Sequence, residues 1–393
     1  MSEQNFKPAW KILKFGDFVE CVREQGQPTE EDSRNYIGLE HLDSGSLHVK
    51  RWGSDADLKG QKLRMKKGDL LFAKRNAYLR RVAIAPHDGF FSAHGMVLRP
   101  TGKHILPDFL PFFLQSDMFM ERAIEISVGS LSPTINWKAL KVQEFPLPPL
   151  DEQKRIAEIL WTADDAVQKY KESLNALAAL KSQTLRASLR HESTREVACS
   201  KLYSTPPRNG FSPKTNASEA GCPTLSIGAV RDGKVDPNGN TKYAEISPSD
   251  LEKFRLASGD ILVVRGNGNK TLCGKAGLVS ELPENCFYPD LLIRIAFDEK
   301  QILPAFAVEQ WNDPLTHGKL MAFAKSTNGI WKVNGKDLRQ HKLLVPSLHV
   351  QREIVDKLSA ISAGEEQLTK HVEVLLGLQR QIANDVTKGA AHV

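Results

Sequence analysis

No apolar run in these 393 residues approaches the roughly 18 positions that a membrane helix needs. The opening segment, MSEQNFKPAW, lacks the apolar core of a signal peptide, so the expected location is cytoplasmic, without a membrane partner. Cysteine is scarce. Cys21, Cys199, Cys222, Cys273 and Cys286 are odd in number and never stand as C-x-x-C, which argues against a disulfide framework or a thiolate zinc site. Neither sign of charge dominates. A net charge of +6 permits an anionic partner without demanding one.

Catalytic signatures are missing too. GNGNKTLCGKAG at 266–277 has the look of a phosphate loop, but Asn269 and Ala276 stand where that loop needs Gly and Ser or Thr. There is no H-E-x-x-H and no G-x-S-x-G. The Asn-Pro-Pro-aromatic motif of adenine methyltransferases is absent. Asp290, Asp298 and Lys300 match the spacing of a metal nuclease, yet the residues between them read as one strand. At about 3.3 Å per residue the two carboxylates would lie roughly 26 Å apart, too far to share an ion. The expectation is a chain without catalysis, metal or bound cofactor of its own.

What the chain does have is a repeat. FPLPPLDEQKRIAEIL (145–160) returns 198 positions later as LLVPSLHVQREIVDKL (343–358). At the same offset INWKAL (135–140) falls on VNGKDL (333–338), and Gln153 falls on Gln351. Upstream the offset drifts: KKGDLLFAKRN (66–76) resembles ASGDILVVRGN (257–267), and ILPDFLPFFLQSD (105–117) resembles ILPAFAVEQWND (302–313). The order is globular unit, helix, globular unit, helix.

The globular units read as strand-rich. Both Gly-Asp dipeptides turn into short apolar strands, and GMVLRP and LLIRIAF are further buried strands. LPDFLPFFLQS reads as a short helix started by Pro107. The two helices are long. Ile156, Leu160, Ala163, Val167, Tyr170, Leu174 and Leu177 keep a 4-3 spacing. So do Ile354, Leu358, Ile361, Leu368, Val372, Leu375, Ile382 and Val386, with Glu365 and Gln379 as interruptions. Such a narrow seam points to a coiled coil; the alternative is that each helix packs on its own domain. Prolines 146, 148 and 149 end the first domain abruptly, and Asp151 and Glu152 put negative charge at the positive end of the helix.

Two stretches per unit suit an anionic partner. RMKKGDLLFAKRNAYLRR (64–81) is dense in Lys and Arg, interleaved with Phe72 and Tyr78. Lys74, Arg75, Asn76, Tyr78, Arg80 and Arg81 place cations, amide and ring at a loop, as phosphate contact and base-edge reading require. Arg265, Asn267, Asn269 and Lys270 are the counterparts, among glycines that let a ligand approach the backbone. SVGSLSPTINWK (127–138), with Ser130, Asn136 and Trp137, and KSTNGIWKVNGK (325–336), with Asn328, Trp331 and Lys332, are the second pair. A solvated charged hairpin and a structural turn would explain the same residues.

The junction FPLPPLDEQKRIAEIL and the preceding SVGSLSPTINWKALKV resemble the end of a target-recognition domain in the specificity subunits of type I DNA restriction–modification systems. The resemblance spans nearly the whole chain. The second junction departs from the pattern, with one proline and His349-Val350 in place of Asp151-Glu152. The resemblance implies an α+β protein: two similar strand-rich target-recognition domains joined by two long helices forming an antiparallel coiled coil. The expected boundaries are 1–149 and 192–347 for the domains, and 150–191 and 348–393 for the spacer helices. It also implies double-stranded DNA as ligand, read as a bipartite asymmetric site. Two methyltransferase subunits that use S-adenosylmethionine, and motor-nuclease subunits, would be the partners. The rival readings are an orphan DNA-binding adaptor in phage defence and a metal nuclease built on Asp290 and Asp298.

Overall fold

A computed structural model describes residues 10–54, 58–216, 219–327 and 329–387. The two Gly-Asp dipeptides set the turns from which the central strands start. Gly68 and Gly259 have φ of +90° and +88°, values that any side chain would strain. Each aspartate then closes its turn: Lys66 N donates to Asp69 (2.7 Å) and Ala257 N donates to Asp260 (2.9 Å). Both carboxylates are buried and face an arginine of the adjacent strand, Arg99 at 2.5 Å and Arg294 at 3.7 Å. Burial raises the Asp260 carboxyl above its usual range, against the opposing pull of Ala257 N and Arg294.

The strands that follow, Leu70–Phe72 and Ile261–Val264, are buried at every position. In the first unit Leu70–Phe72 lies between Met96–Pro100 and Val82–Ile84, and Val19–Val22 flanks Met96–Pro100. A second four-stranded sheet (Gln25–Gly26, Lys62–Met65, Gly89–Phe91, Tyr36–Ile37) shares an apolar layer of Ile37, Met65, Leu71, Phe91 and Val97 with it. The opposite face carries the larger core, where Phe15, Phe18, Phe113, Phe119 and Phe145 meet mostly edge-on. The second unit repeats this plan with Ile261–Val264 between Leu292–Phe297 and Ala276–Leu278 in a six-stranded sheet.

Two short helices cover each core. The first begins at Leu110 and ends at Gln115, so Pro111 falls in its first turn and Pro107 does not start it. Residues 107–109 form a turn instead. Ser116 breaks the run, and its hydroxyl accepts from Phe119 N to cap Asp117–Glu125. In the second unit Pro304–Asn312 and Pro314–Met321 are broken in the same way by Asp313, which accepts from Leu315 N.

The long helices are Leu150–Ser188 and Leu348–Thr387. Each enters beside a fully buried glutamine that ties three backbone groups. Gln153 donates to His104 O (2.8 Å) and Pro148 O (2.9 Å) and accepts from Leu106 N (2.9 Å). Gln351 donates to Gln301 O (3.0 Å) and Pro346 O (2.9 Å) and accepts from Leu303 N (2.8 Å). The proline-rich junction is thus locked to the domain by side-chain amides, not by proline stiffness alone.

The chain divides into two compact units, Met1–Glu172 with Thr369–Val393, and Ser173–Leu368. In the first, the far part of the second helix runs antiparallel to the near part of the first. Gln379 donates to Leu160 O (3.1 Å), Tyr170 stacks on His371 with centroids 5.6 Å apart, and Asn384 bonds to Asp117. In the second unit Leu177 lies 3.7 Å from where a Cβ on Gly364 would stand. Ser182 and Arg186 bond to Asp313 there, and Lys181 pairs with Glu309 at 2.9 Å. Gln379, an interruption in the apolar pattern, is therefore a buried hydrogen-bonding member of the helix contact.

The seam itself needs one correction. Ile156, Leu160, Ile354 and Leu358 are not only helix–helix contacts: they are buried in the cores of their own domains, and Ile361 packs on the second core. Val167 is buried, whereas Leu174, Leu177, Leu368 and Leu375 are half-buried. The side chain of Val386 lies outside the described residues. No helix among the described residues is long and apolar enough to cross a membrane.

Candidate nucleic-acid interface

Each pair of suspected stretches, distant in sequence, comes together in the fold. In the first unit the chain leaves the strand Leu70–Phe72 into a loop held against a hairpin. Ile135 N donates to Lys74 O (3.0 Å), Asn76 N donates to Pro133 O (2.8 Å), and Val128 pairs with Thr134 across the hairpin. In the second unit Val333 N donates to Arg265 O (2.9 Å), and Gly266–Asn267 pairs with Ile330–Lys332. The frame is the same; the side chains on it differ.

The sequence candidates then divide. Arg80 pairs with Asp117 and donates to Gln115 O, and Arg81 donates to Leu39 O (2.8 Å), so both guanidiniums stitch the domain together. Asn76 sits in the left-handed region (φ 55°), and its Oδ1 is buried. That conformation suits asparagine better than most residues and gives it a turn role. Asn136 caps the short helix Trp137–Leu140 by accepting from Lys138 N (3.0 Å), and Asn334 caps Gly335–Gln340 in the same place of the repeat.

Arg75 is half-buried and donates to Ser132 Oγ on the hairpin (3.2 Å). Ser130 and Tyr78 are exposed, and Lys74 is half-exposed. Leu131 at the hairpin tip is 95% exposed, a position that an apolar count does not single out. In the second unit Lys270 lies 4.4 Å over the ring of Trp331, a contact worth about 0.5–1 kcal/mol at an exposed site. Asn267 and Asn269 each accept a hydrogen bond from a backbone N–H two residues on, which shapes an exposed loop. Lys332 is exposed on the paired strand. Asn328 lies outside the described residues.

One arrangement is not legible in the sequence. Arg265 Nη1 donates to Asp290 O (3.1 Å) and lies 3.8 Å from Asp290 Oδ2, while Ser212 Oγ donates to Asp290 Oδ1 (2.6 Å). Asp298 stands at the other end of the strand Leu292–Phe297 and accepts from Lys300 N (3.1 Å) and Gln301 Nε2 (3.0 Å). The two aspartates thus have separate local partners and share no site. Among the described residues no group of three or more His, Cys, Asp or Glu could hold a metal ion.

The family model for the type I restriction modification DNA specificity domain matches residues 8–178. The chain is 30% identical over 319 residues to the specificity subunit of the type I restriction enzyme EcoKI from Escherichia coli (strain K12), covering 77% of this chain and 68% of that protein. It is 24% identical over 450 positions to the putative type I restriction enzyme MjaX specificity subunit of Methanocaldococcus jannaschii, covering 100% and 97%. The fold is similar to the solved type I restriction–modification S subunit from M. genitalium, with a TM-score of 0.54 at 15% identity over 98% of both chains. This chain belongs to the type I restriction–modification specificity subunits, an α+β family of DNA-recognition proteins.

Proposed function

We propose that the chain reads a bipartite, asymmetric double-stranded DNA site, one half per recognition domain. The observation that carries the reading is the pair of matched frames, Lys74–Ile135 and Arg265–Val333, which present different side chains. A matched backbone tie with different edges on offer suits two different half-sites. The long helices serve as the spacer. On this reading two methyltransferase subunits dock on the chain and methylate adenine with their own S-adenosylmethionine, and motor-nuclease subunits join them for cleavage. The chain itself contributes recognition and no catalytic group. The name of the Escherichia coli relative, a subunit of a restriction enzyme, supports that division of labour.

The contacts fall to Lys74, Arg75, Tyr78, Ser130, Arg265, Asn267, Asn269, Lys270 and Lys332, with Asn76, Arg80, Arg81 and Asn136 holding the loops that present them. Footprinting the complex on its methylation site tests this. Two protected major-groove patches separated by an indifferent gap are expected. A single contiguous or perfectly palindromic footprint would overturn it.

A further inference from the structure

We propose that Arg265 and Asp290 together read a single G·C base pair in the half-site of the second domain, an inference that rests on the DNA-reading role above. Asp290 is out of place on a surface meant for phosphate. Arg265 and Lys332 flank the paired segment Gly266–Asn267, and Lys270 covers Trp331. A carboxylate there repels the backbone of the duplex. A carboxylate does have one good ligand in the major groove, the N4 amino group of cytosine, while an arginine fork suits O6 and N7 of guanine.

The pair is built rather than incidental. Ser212 Oγ donates to Asp290 Oδ1 (2.6 Å) and in turn accepts from Asp290 N (3.0 Å), closing a ring between segments 78 residues apart. That ring fixes the carboxylate through Oδ1 and leaves Oδ2 outside it, 3.8 Å from Arg265 Nη1. Arg265 is anchored through its backbone, whose N–H donates to Leu291 O (2.8 Å), and through Nη1 on Asp290 O (3.1 Å). Both side chains remain accessible, at 36% and 52% exposure.

The spacing fits one base pair. Guanine O6 and cytosine N4 are hydrogen-bonded to each other, so they lie about 2.9 Å apart. Arg265 Nη1 and Asp290 Oδ2 are 3.8 Å apart and offer donor beside acceptor, the complement of that acceptor and donor. An A·T pair also shows an acceptor beside a donor, but it has no second acceptor next to the first for the arginine fork to take. The first domain lacks the device. Its matching turn, closed by Gly95 N to Ser92 O where the second domain has Leu292 N to Pro289 O, carries Ala93 in the place of Asp290.

Selection of bound duplexes from a random pool by the full chain tests the assignment. The wild-type chain should enrich a bipartite motif with an invariant G·C in one half. Asp290→Ala and Arg265→Ala should each lower the preference at that position by roughly ten- to a hundredfold and leave the other positions unchanged. The retained positions of the same half-site show that the second domain is folded. Asp290→Asn keeps the shape but turns an amide donor toward N4, and should lose the same preference. Ser212→Ala should weaken it less. The assignment falls if Asp290→Ala alters affinity for all sequences alike, blurs the whole half-site, or moves only an A·T position. If the wild-type chain enriches no motif, the DNA-reading role itself fails and this inference with it.

Discussion

Replacing Gln153 by leucine removes a hydrogen-bonding clamp without opening a cavity of any size. The wild-type amide satisfies His104 O, Pro148 O and Leu106 N, all beside a side chain with no exposed surface. Leucine leaves those three groups unpaired. A buried unsatisfied group costs about 1–3 kcal/mol; the Pro148 O bond is buried and the His104 O and Leu106 N bonds part-buried, so a loss of about 1–3 kcal/mol follows. The loss belongs to the first unit. Native-state hydrogen exchange is the suitable assay, because it reads opening free energies locally. Amides around Phe113 and Phe119 should lose protection, while those around Ile261 and Ile295 keep theirs. Gln351→Leu should give the reverse pattern, since Gln351 makes the matching three bonds. Protection within about 0.5 kcal/mol of wild type in the first core would mean that Gln153 is not a clamp.

Acid should weaken the second unit first. His341 is buried against Trp311 and is pushed down from 6.5 to about 4 by burial, with His317 and Lys319 adding to it. An unfolded histidine takes its proton near 6.5 while the folded one does not, so stability is lost as pH falls from about 6.5 to about 4. The full loss is about 3 kcal/mol, of which about 2 kcal/mol falls between pH 7 and 4.5, where urea unfolding measures it; an equal pH dependence in His341→Leu would refute the assignment. Lys74→Ala and Lys270→Ala should each lower the slope of log affinity against log salt by about 0.9 if the side chain meets a phosphate, read by binding titrations across salt. Gly68→Ala should cost about 1–2 kcal/mol in thermal or chemical unfolding, because φ is +90° there. Inserting seven residues into both long helices should lengthen the methylation gap by up to about three base pairs without changing either half-site, as mapped by methylated adenines.

The fold was largely readable because it is written twice. The Gly-Asp turns, the buried strands after them and the 4-3 spacing of the helices each follow from local rules. Periodicity reports that a residue is buried, however, not against what. Ile156 and Leu160 keep the seam spacing yet belong to the domain core. Likewise Gln379 breaks an apolar pattern but lies buried, because its amide reaches a helix carbonyl. The site was readable only as two separate stretches. Their union depends on long-range backbone bonds such as Ile135 N to Lys74 O, which no local pattern announces. Arg80 and Arg81 read as ligand contacts by charge, which does not announce that each guanidinium also bonds a backbone carbonyl of its own domain.

The tie between Asp117 and Asn384 spans 267 residues, and it has a consequence for synthesis on the ribosome. At roughly 5–20 residues per second, about 13–53 seconds separate the appearance of its two ends. The first domain can assemble its sheets early, but Asp117 must wait for a helix that has not yet been made. During that interval the face of Leu150–Ser188 that later receives Tyr170's partner ring stays uncovered. Birth order therefore runs opposite to completion order: the unit that begins first is finished last.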